Sequence, residues 1–186
     1  RKSLWMISRA DCPDTDKELF VLIGFSLLKL FTYSTASMQF LERQISKGVL
    51  SGRLPKDQIG KLRELSAGTT GMLLEHMSNV IQGLVDFYAA LQYENKKADV
   101  LFQMLMDLGA GDKIVVVSPK ESYGKMFTSS FTEKNKLFAK RITIYTPTQF
   151  LNAENRCDQV VFCGAIKTSD MTRCINVAKS SIILLY

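Results

Sequence analysis

Three short segments of the sequence combine hydroxyl, glycine and lysine residues in a pattern that suits the binding of a phosphate group. They lie at residues 118–120, 146–147 and 164–168, and each directly follows a run of apolar residues. Hydroxyl and ammonium groups donate hydrogen bonds to phosphate oxygens, and the N-terminus of a following helix favours an anion. We therefore expect a shared phosphate site made by Ser118, Lys120, Thr146, Gly164 and Lys167. The alternative is that these are ordinary turn and helix-cap residues.

Other motifs that bind nucleotides or catalyse reactions are missing from the sequence. Residues 164–168 read Gly-Ala-Ile-Lys-Thr, but a P-loop needs a second glycine directly before the lysine, where Ile166 stands. No G-x-G-x-x-G or G-x-S-x-G pattern occurs, and the single histidine, His76, cannot supply the usual triads. We read His76 as a core or surface residue and assign no catalytic residue.

Cysteine usage argues against a metal centre and against disulfide bonds. The four cysteines form no Cys-x-x-Cys pair; they are Cys12, Cys157, Cys163 and Cys174. This pattern predicts neither a structural zinc site nor a disulfide framework, and it suits a reducing, cytoplasmic compartment. We expect no metal site and no cofactor within this chain.

Composition and charge are those of an ordinary globular domain with a moderate basic excess. The 186 residues are 46% hydrophobic and 23% charged, with a net charge of +6. Such a charge permits nucleic acid as a partner without requiring it. The clearest basic cluster is Lys134, Lys136, Lys140 and Arg141. The alternative to a role in binding is that these residues form a solvated helix end and turn.

No membrane segment is predicted, and the chain is expected to be part of a larger protein. The most apolar stretch, residues 19–31, contains Lys29 and is shorter than the roughly 20 residues that a membrane helix needs. We interpret it as a buried helix. Because the chain begins with Arg1 and a predicted strand runs to Tyr186, we expect further domains outside it.

Four β-branched runs in the second half of the chain alternate with helical segments. The runs lie at residues 113–118, 141–145, 159–163 and 181–186, with helices predicted at 120–131, from about 147 to 152, and 169–178. Strands separated in this way need crossover connections and therefore pair in parallel. This predicts an α/β fold with a parallel sheet of about four or five strands, RecA-like or Rossmann-like. Asp158 precedes a strand, so we expect a turn residue there and not a metal ligand.

The first half of the chain is predicted to be mainly helical. A short strand at residues 3–8 is followed by helices at 16–47 and 56–93, the second interrupted at 68–71. From residue 73 to 88, apolar residues recur at spacings of three and four and form one stripe. Asn95 can cap a third helix. We therefore predict a helical region at residues 1–94 and an α/β lobe at residues 95–186.

The order of elements after Asn95 resembles the second RecA-like lobe of superfamily 2 and Snf2-type helicases. In that family a helix leads into a strand of the form G-x-K-V-L-V-F-S, to which residues 97–108 and 112–118 are similar. Residues 141–146 and 158–162 look like the second and third strands of the lobe. The resemblance covers about half of the chain. Helicase-like proteins of bacterial anti-phage systems, including the DrmE type of the DISARM system, are similar in having such divergent lobes.

The sequence lacks a motif that this family uses for ATP hydrolysis. The family motif Q-x-x-G-R-x-G-R, which supplies arginine fingers, is missing, and Arg173 lacks the surrounding glycines. The resemblance thus implies a lobe that is not catalytic alone, with ATP and Mg²⁺ bound elsewhere in the full-length protein. It also implies an upstream motor lobe as a partner, and contacts of Lys120, Tyr123, Thr146 and Lys167 with a nucleic-acid backbone.

Two other functions fit the same sequence. The eight methionines of the chain and its apolar helices suit a protein-interaction or assembly module, with the helical region as the docking surface. A small-molecule enzyme using the cleft at the strand ends is the third hypothesis, although no carboxylate pair or cysteine–histidine pair supports it.

Overall fold

The structure, a computed structural model, describes residues 1–11, 15–107, 113–134, 136–153, 157–163, 166–177 and 181–185. The chain forms two compact units. One comprises Arg1–Thr32 and Ser37–Glu94, and the other comprises Tyr33–Ala36 and Asn95–Tyr186. We refer to them as the helical unit and the α/β unit.

Over its described residues, the helical unit contains five helices: α1 (Lys2–Arg9), α2 (Thr15–Tyr33), α3 (Met38–Ser46), α4 (Pro55–Ser66) and α5 (Gly71–Ala90). The predicted strand at residues 3–8 is therefore wrong, because this run lies within α1. Its buried residues, Leu4 and Ile7, are spaced by one helical turn, and a short apolar run alone does not separate helix from strand. Gly24 leaves room for the Leu4 side chain, because a Cβ atom added at position 24 would lie 2.6 Å from Leu4 Cδ2.

The single helix predicted at residues 16–47 is also wrong, because the chain breaks between α2 and α3. The hydroxyl of Ser34 accepts the N–H of Ala36 at 3.2 Å, and Ser37 caps α3 by accepting the N–H of Phe40 at 3.3 Å. Asn95 donates to the carbonyls of Ser34 and Ala36, both at 3.0 Å. Serine hydroxyls compete with helical hydrogen bonds and so favour the end of a helix. Here the Asn95 side chain, which is distant in sequence, also binds two carbonyls of the segment between the helices.

The apolar stretch at residues 19–31 is helical, with one face buried. Phe20, Ile23, Leu27 and Phe31 are buried, whereas Leu22 is 68% exposed. Among the described residues, no single helix has the length and hydropathy to cross a membrane. The pair Asp16–Tyr33 and Met38–Ser46 meets that test together, but it is bent by 114°.

The predicted interruption at residues 68–71 is confirmed, because α4 ends at Ser66 and α5 begins at Gly71. Gly68 and Gly71 adopt φ angles of +122° and +64°, which strongly favour glycine. Glu42 of α3 links the helices on either side of this break. Its carboxylate accepts the backbone N–H of Lys56 at 3.3 Å and the hydroxyl of Tyr88 at 3.1 Å.

The α/β unit is built on a parallel sheet, which confirms the prediction of an α/β fold with parallel strands. Strands β1 (Ile114–Val117), β2 (Ile142–Tyr145), β3 (Gln159–Cys163) and β4 (Ser181–Leu185) lie in the order β2-β1-β3-β4, and every adjacent pair is parallel. Its helices are α6 (Lys96–Asp107), α7 (Glu121–Lys134), α8 (Lys136–Ala139), α9 (Pro147–Asn152) and α10 (Thr168–Val177). The chain passes from β1 to one neighbour and then to the other, so the direction of winding reverses between β1 and β3.

Both faces of the sheet carry a hydrophobic core, as expected for a buried parallel sheet. Alternate residues of β1 point to opposite faces. Ile114 and Val116 join the first cluster, with Leu101 of α6, Phe127 and Phe131 of α7, and Val161 and Cys163 of β3. Val115 and Val117 join the second cluster, with Phe150 of α9, Cys174 of α10, and Val160 and Phe162 of β3. The unit therefore has three layers, with helices above and below the strands.

The amino edge of the sheet holds Asp158 and the basic cluster. The Asp158 carboxylate accepts the N–H of Lys113 at 2.8 Å, and its own N–H donates to the Lys113 carbonyl at 2.9 Å. Asp158 thus ties the starts of β1 and β3 together, which is a structural role. Lys136, Lys140 and Arg141 lie between α7 and the start of β2, so they belong to this edge and not to the opposite one.

Candidate functional site

The carboxyl edge of the sheet, at the point between β1 and β3 where winding reverses, is the best-placed region for a ligand. In open parallel sheets, ligands bind beyond the carboxyl ends of the strands at such a reversal. Lys120 stands directly before α7, which follows β1, and Lys167 stands directly before α10, which follows β3. Their carbonyls accept the N–H groups of Gly124 at 3.2 Å and Met171 at 2.9 Å, so both residues open the first helical turn. Both are exposed.

Lysine at these two positions opposes the electrostatics of the helices. Serine, threonine, aspartate and asparagine are preferred there, and the positive end of a helix dipole disfavours a cation by about 0.3–1 kcal/mol. Glu121 and Asp170 in the first turns partly offset this. Glu121 is in turn bound by Lys125 at 2.9 Å, which lowers the pKa of the Glu121 carboxyl. An anion placed near Lys120 or Lys167 would relieve the remaining repulsion.

The two predicted hydroxyl residues are engaged in local hydrogen bonds. Ser118 is buried, its hydroxyl donates to the Lys120 carbonyl at 2.9 Å, and its N–H donates to the Tyr145 carbonyl at 2.9 Å. Thr146 forms a capping box with Gln149, with bonds of 3.4 Å and 2.8 Å. Ser118 thus shapes the turn that carries Lys120, and Thr146 starts α9.

Tyr123, in the first turn of α7, packs against Tyr33. The ring centroids lie 5.8 Å apart at 80°, an edge-to-face arrangement. Burial, with a smaller contribution from Tyr33, raises the pKa of the Tyr123 phenol. The phenol is therefore neutral at physiological pH. Gly164 lies outside the described residues.

Lys97 is a basic residue at this edge that sequence reasoning missed. It lies in the first turn of α6, one turn before the fully buried Leu101, and is itself partly buried. Burial lowers the pKa of the Lys97 amine, while the nearby Cys163, the last residue of β3, acts in the opposite direction. The available signal was its spacing, because Lys97 lies one helical turn before the buried Leu101.

The two buried cysteines of the α/β unit, Cys163 and Cys174, are not arranged for nucleophilic chemistry. Burial raises the pKa of the Cys163 thiol to about 12, although Lys97 opposes this shift. Burial also raises the pKa of Cys174, whose thiol lies 3.8 Å from the Pro147 carbonyl oxygen. Both thiols are therefore protonated at neutral pH. Within the described ranges, no group of three or more histidine, cysteine or acidic residues could hold a metal ion.

No protein-family model, curated protein or solved structure matches this chain. The fold class and the positions of the site residues therefore come from the structure itself. The helicase-like lobe remains an expectation from the sequence pattern.

Proposed function

We propose that the α/β unit is a degenerate, RecA-like helicase lobe of a larger protein that contacts a nucleic-acid backbone. The observation that carries the proposal is the pairing of Lys120 and Lys167. The two lysines follow adjacent parallel strands at the reversal of winding, and each opens a helix whose first-turn N–H groups favour an anion.

In this proposal the two lysines act as point charges that bind phosphate oxygens. Tyr123 offers an aromatic edge beside Lys120, and the Ser118 and Thr146 turns hold the two helix starts in place. The lobe does not catalyse a reaction alone. ATP and Mg²⁺, where the full-length protein uses them, are bound by an upstream motor lobe or another subunit.

Equilibrium binding of fluorescein-labelled single-stranded DNA, followed by fluorescence anisotropy, tests this function. Two to three phosphate contacts on a single strand predict a log–log salt slope of about −1.4 to −2.1. Affinity should then fall about 7- to 20-fold between roughly 50 and 200 mM salt. Absence of binding to single- or double-stranded DNA and RNA at the lower salt concentration would refute the proposal.

Competition experiments separate a nucleic-acid site from a mononucleotide site. Unlabelled RNA or DNA should displace the labelled strand, whereas ATP at equal phosphate concentration should do so weakly. Full displacement by ATP at low concentration would instead support the small-molecule enzyme hypothesis.

The alternative function is a protein-assembly module that uses the helical unit. The observation in its favour is the set of exposed large apolar side chains on α1, α2 and α5: Trp5 48%, Leu22 68%, Met72 72% and Phe87 49%. Light scattering after size-exclusion chromatography tests it. Concentration-dependent self-association that Leu22→Lys abolishes would support assembly, and a monomer at all concentrations would count against self-assembly.

A further inference from the structure

We infer that Tyr33 and Tyr123 form an aromatic platform on which a base of a single-stranded nucleic acid stacks, next to the phosphate that Lys120 binds. This inference rests on the proposed function and deepens it, because it names the substrate as a strand with unpaired bases. Tyr33 lies outside the strand-end pattern and outside the part of the chain that resembles a helicase lobe.

The two tyrosines come from distant parts of the sequence and meet within the α/β unit. Tyr33 is the last residue of α2 and belongs, with residues 34–36, to the α/β unit, whereas Tyr123 lies in the first turn of α7. Their ring centroids lie 5.8 Å apart at 80°, and both residues are half-buried. In an edge-to-face pair, only one face of one ring is covered by the partner ring, so this contact leaves the other ring faces for a ligand.

The segment that carries Tyr33 is anchored to the α/β unit by buried polar contacts. Asn95, which is 5% exposed, donates to the carbonyls of Ser34 and Ala36, both at 3.0 Å. The Ser34 hydroxyl, itself buried, lies 3.8 Å from Met126 Sδ of α7. Tyr33 is therefore held against the same helix that carries Tyr123. A pre-positioned ring loses less conformational freedom on binding than a ring on a mobile loop.

Lys120 brings a cation to the same end of α7. Its carbonyl accepts the N–H of Gly124 at 3.2 Å and the hydroxyl of Ser118 at 2.9 Å, which fixes its backbone directly before the helix. Tyr123 follows three residues later, about one helical turn. The exposed lysine and the half-buried aromatic pair therefore share one end of the helix.

A cation beside an aromatic ring is the combination by which many proteins bind single-stranded nucleic acid. The cation neutralises a backbone phosphate, and the ring stacks against a base, a contact that every base can make because each has a π face. In a duplex the bases are already stacked and paired, so a ring at the surface reaches a base only after that base is unpaired. The platform therefore contributes to the binding of single strands, with little preference among bases.

Binding of a single strand of thymidine nucleotides and of an abasic strand with the same number of phosphates tests this inference. The two probes carry the same charge, so phosphate contacts contribute equally and only stacking differs. Fluorescence anisotropy with labelled probes measures both affinities. Wild type should bind the thymidine strand about 5- to 150-fold more tightly than the abasic strand, the effect expected of one stacked base.

Variants of Tyr33 assign this preference to the platform. Tyr33→Leu keeps an apolar side chain but removes the ring, so it should lose most of the preference while its affinity for the abasic strand and for duplex DNA stays the same. Tyr33→Phe keeps the ring and should keep the preference. Tyr88→Leu is the matched control, because Tyr88 is also half-buried and in ring contact, with Phe31 at 6.4 Å, but lies in the helical unit. It should leave the preference unchanged.

The outcomes distinguish the platform from the proposed function. If the wild-type chain binds neither single strands nor duplexes, both fail. If it binds the abasic strand as tightly as the thymidine strand, the function stands and the platform is overturned. The platform is also overturned if a folded Tyr33→Leu chain keeps the preference, or if Tyr33→Phe loses it. Because the two probes are compared first on the wild-type chain, a variant that fails to fold does not leave the platform untested.

Discussion

Gly124 controls how closely the first turn of α7 approaches β2, and its substitution is predicted to destabilise the α/β unit. A Cβ atom at this position would lie 2.5 Å from Ile144 Cγ2 and 3.7 Å from Ser118 Cβ. Carbon atoms in favourable contact lie about 3.5–4.0 Å apart, and the branched side chain of Ile144 has little rotamer freedom. Gly124→Ala therefore forces α7 away from the strand, together with the turn that carries Lys120.

Two opposing terms set the size of the effect. Overpacking costs about 1–3 kcal/mol, and the severity of this contact places it towards the upper end. Alanine in a helix interior gains about 1 kcal/mol over glycine. We expect a net loss of about 1–2 kcal/mol. Gly60→Ala in α4 is the matched control, because nothing lies within 4 Å of its added Cβ, and it should gain about 1 kcal/mol.

The assay combines urea unfolding, followed by far-UV circular dichroism, with amide hydrogen exchange. Exchange of α7 and β2 reports on the α/β unit, whereas fluorescence of Trp5, the single tryptophan, reports on the helical unit. Ile144→Ala is made alone and together with Gly124→Ala, which completes a double-mutant cycle. The coupling energy of this cycle should recover about 1–2 kcal/mol of the stability lost by Gly124→Ala. Stabilisation by Gly124→Ala, or a loss that Ile144→Ala leaves unchanged, would refute this reasoning.

Contacts of Tyr88, Asn95 and Cys163 give three more measurable effects. Burial and the hydrogen bond to Glu42 raise the pKa of Tyr88 from 10.0 to about 12. The protonated phenol therefore stabilises the folded state, and this contribution is complete below pH 10 and is lost as the pH rises towards 12. Across that range, the free energy of unfolding of the wild type should fall by about 1 kcal/mol relative to that of Tyr88→Phe, a value already reduced for solvent screening. Denaturation at each pH measures this difference. Asn95→Ala leaves two carbonyls without their donor and should cost about 2 kcal/mol of unfolding free energy, whereas an unchanged urea midpoint would contradict the role of Asn95. Cys163 should react with a thiol reagent far more slowly than the partly exposed Cys157 until urea unfolds the chain, as mass spectrometry of the labelled peptides would show.

Strands, helix breaks and helix caps that depend on local sequence patterns were predictable from the sequence. The β-branched runs became β1 to β4, the glycines at 68 and 71 separated α4 from α5, and Asn95 capped α6. Each of these depends on neighbouring residues alone, through burial on both faces of a strand, positive φ angles or a side-chain cap.

Features that depend on distant residues were not predictable. The break between α2 and α3 is completed by the Asn95 amide, 59 and 61 residues away in sequence from the carbonyls it binds. The run at residues 3–8 became a helix whose Leu4 packs against Gly24, a contact that its composition does not reveal.

The positions of the two lysines in the fold were predictable, whereas the local hydrogen bonds of the neighbouring residues were not. Parallel strands bring their carboxyl ends to one edge, which placed Lys120 and Lys167 at the starts of α7 and α10. The sequence could not show that the hydroxyls of Ser118 and Thr146 are used in local hydrogen bonds. Nor could it show that Lys97 shares the edge, because this depends on how α6 packs on the sheet.

Mapping the bound strand by NMR tests whether nucleic acid binds at the carboxyl edge of the sheet. Titration of the isotope-labelled chain with single-stranded DNA should shift the backbone amides of residues 118–123 and 166–170 most strongly. Shifts concentrated instead at Lys136, Lys140 and Arg141 on the amino edge, or on the helical unit, would contradict the account.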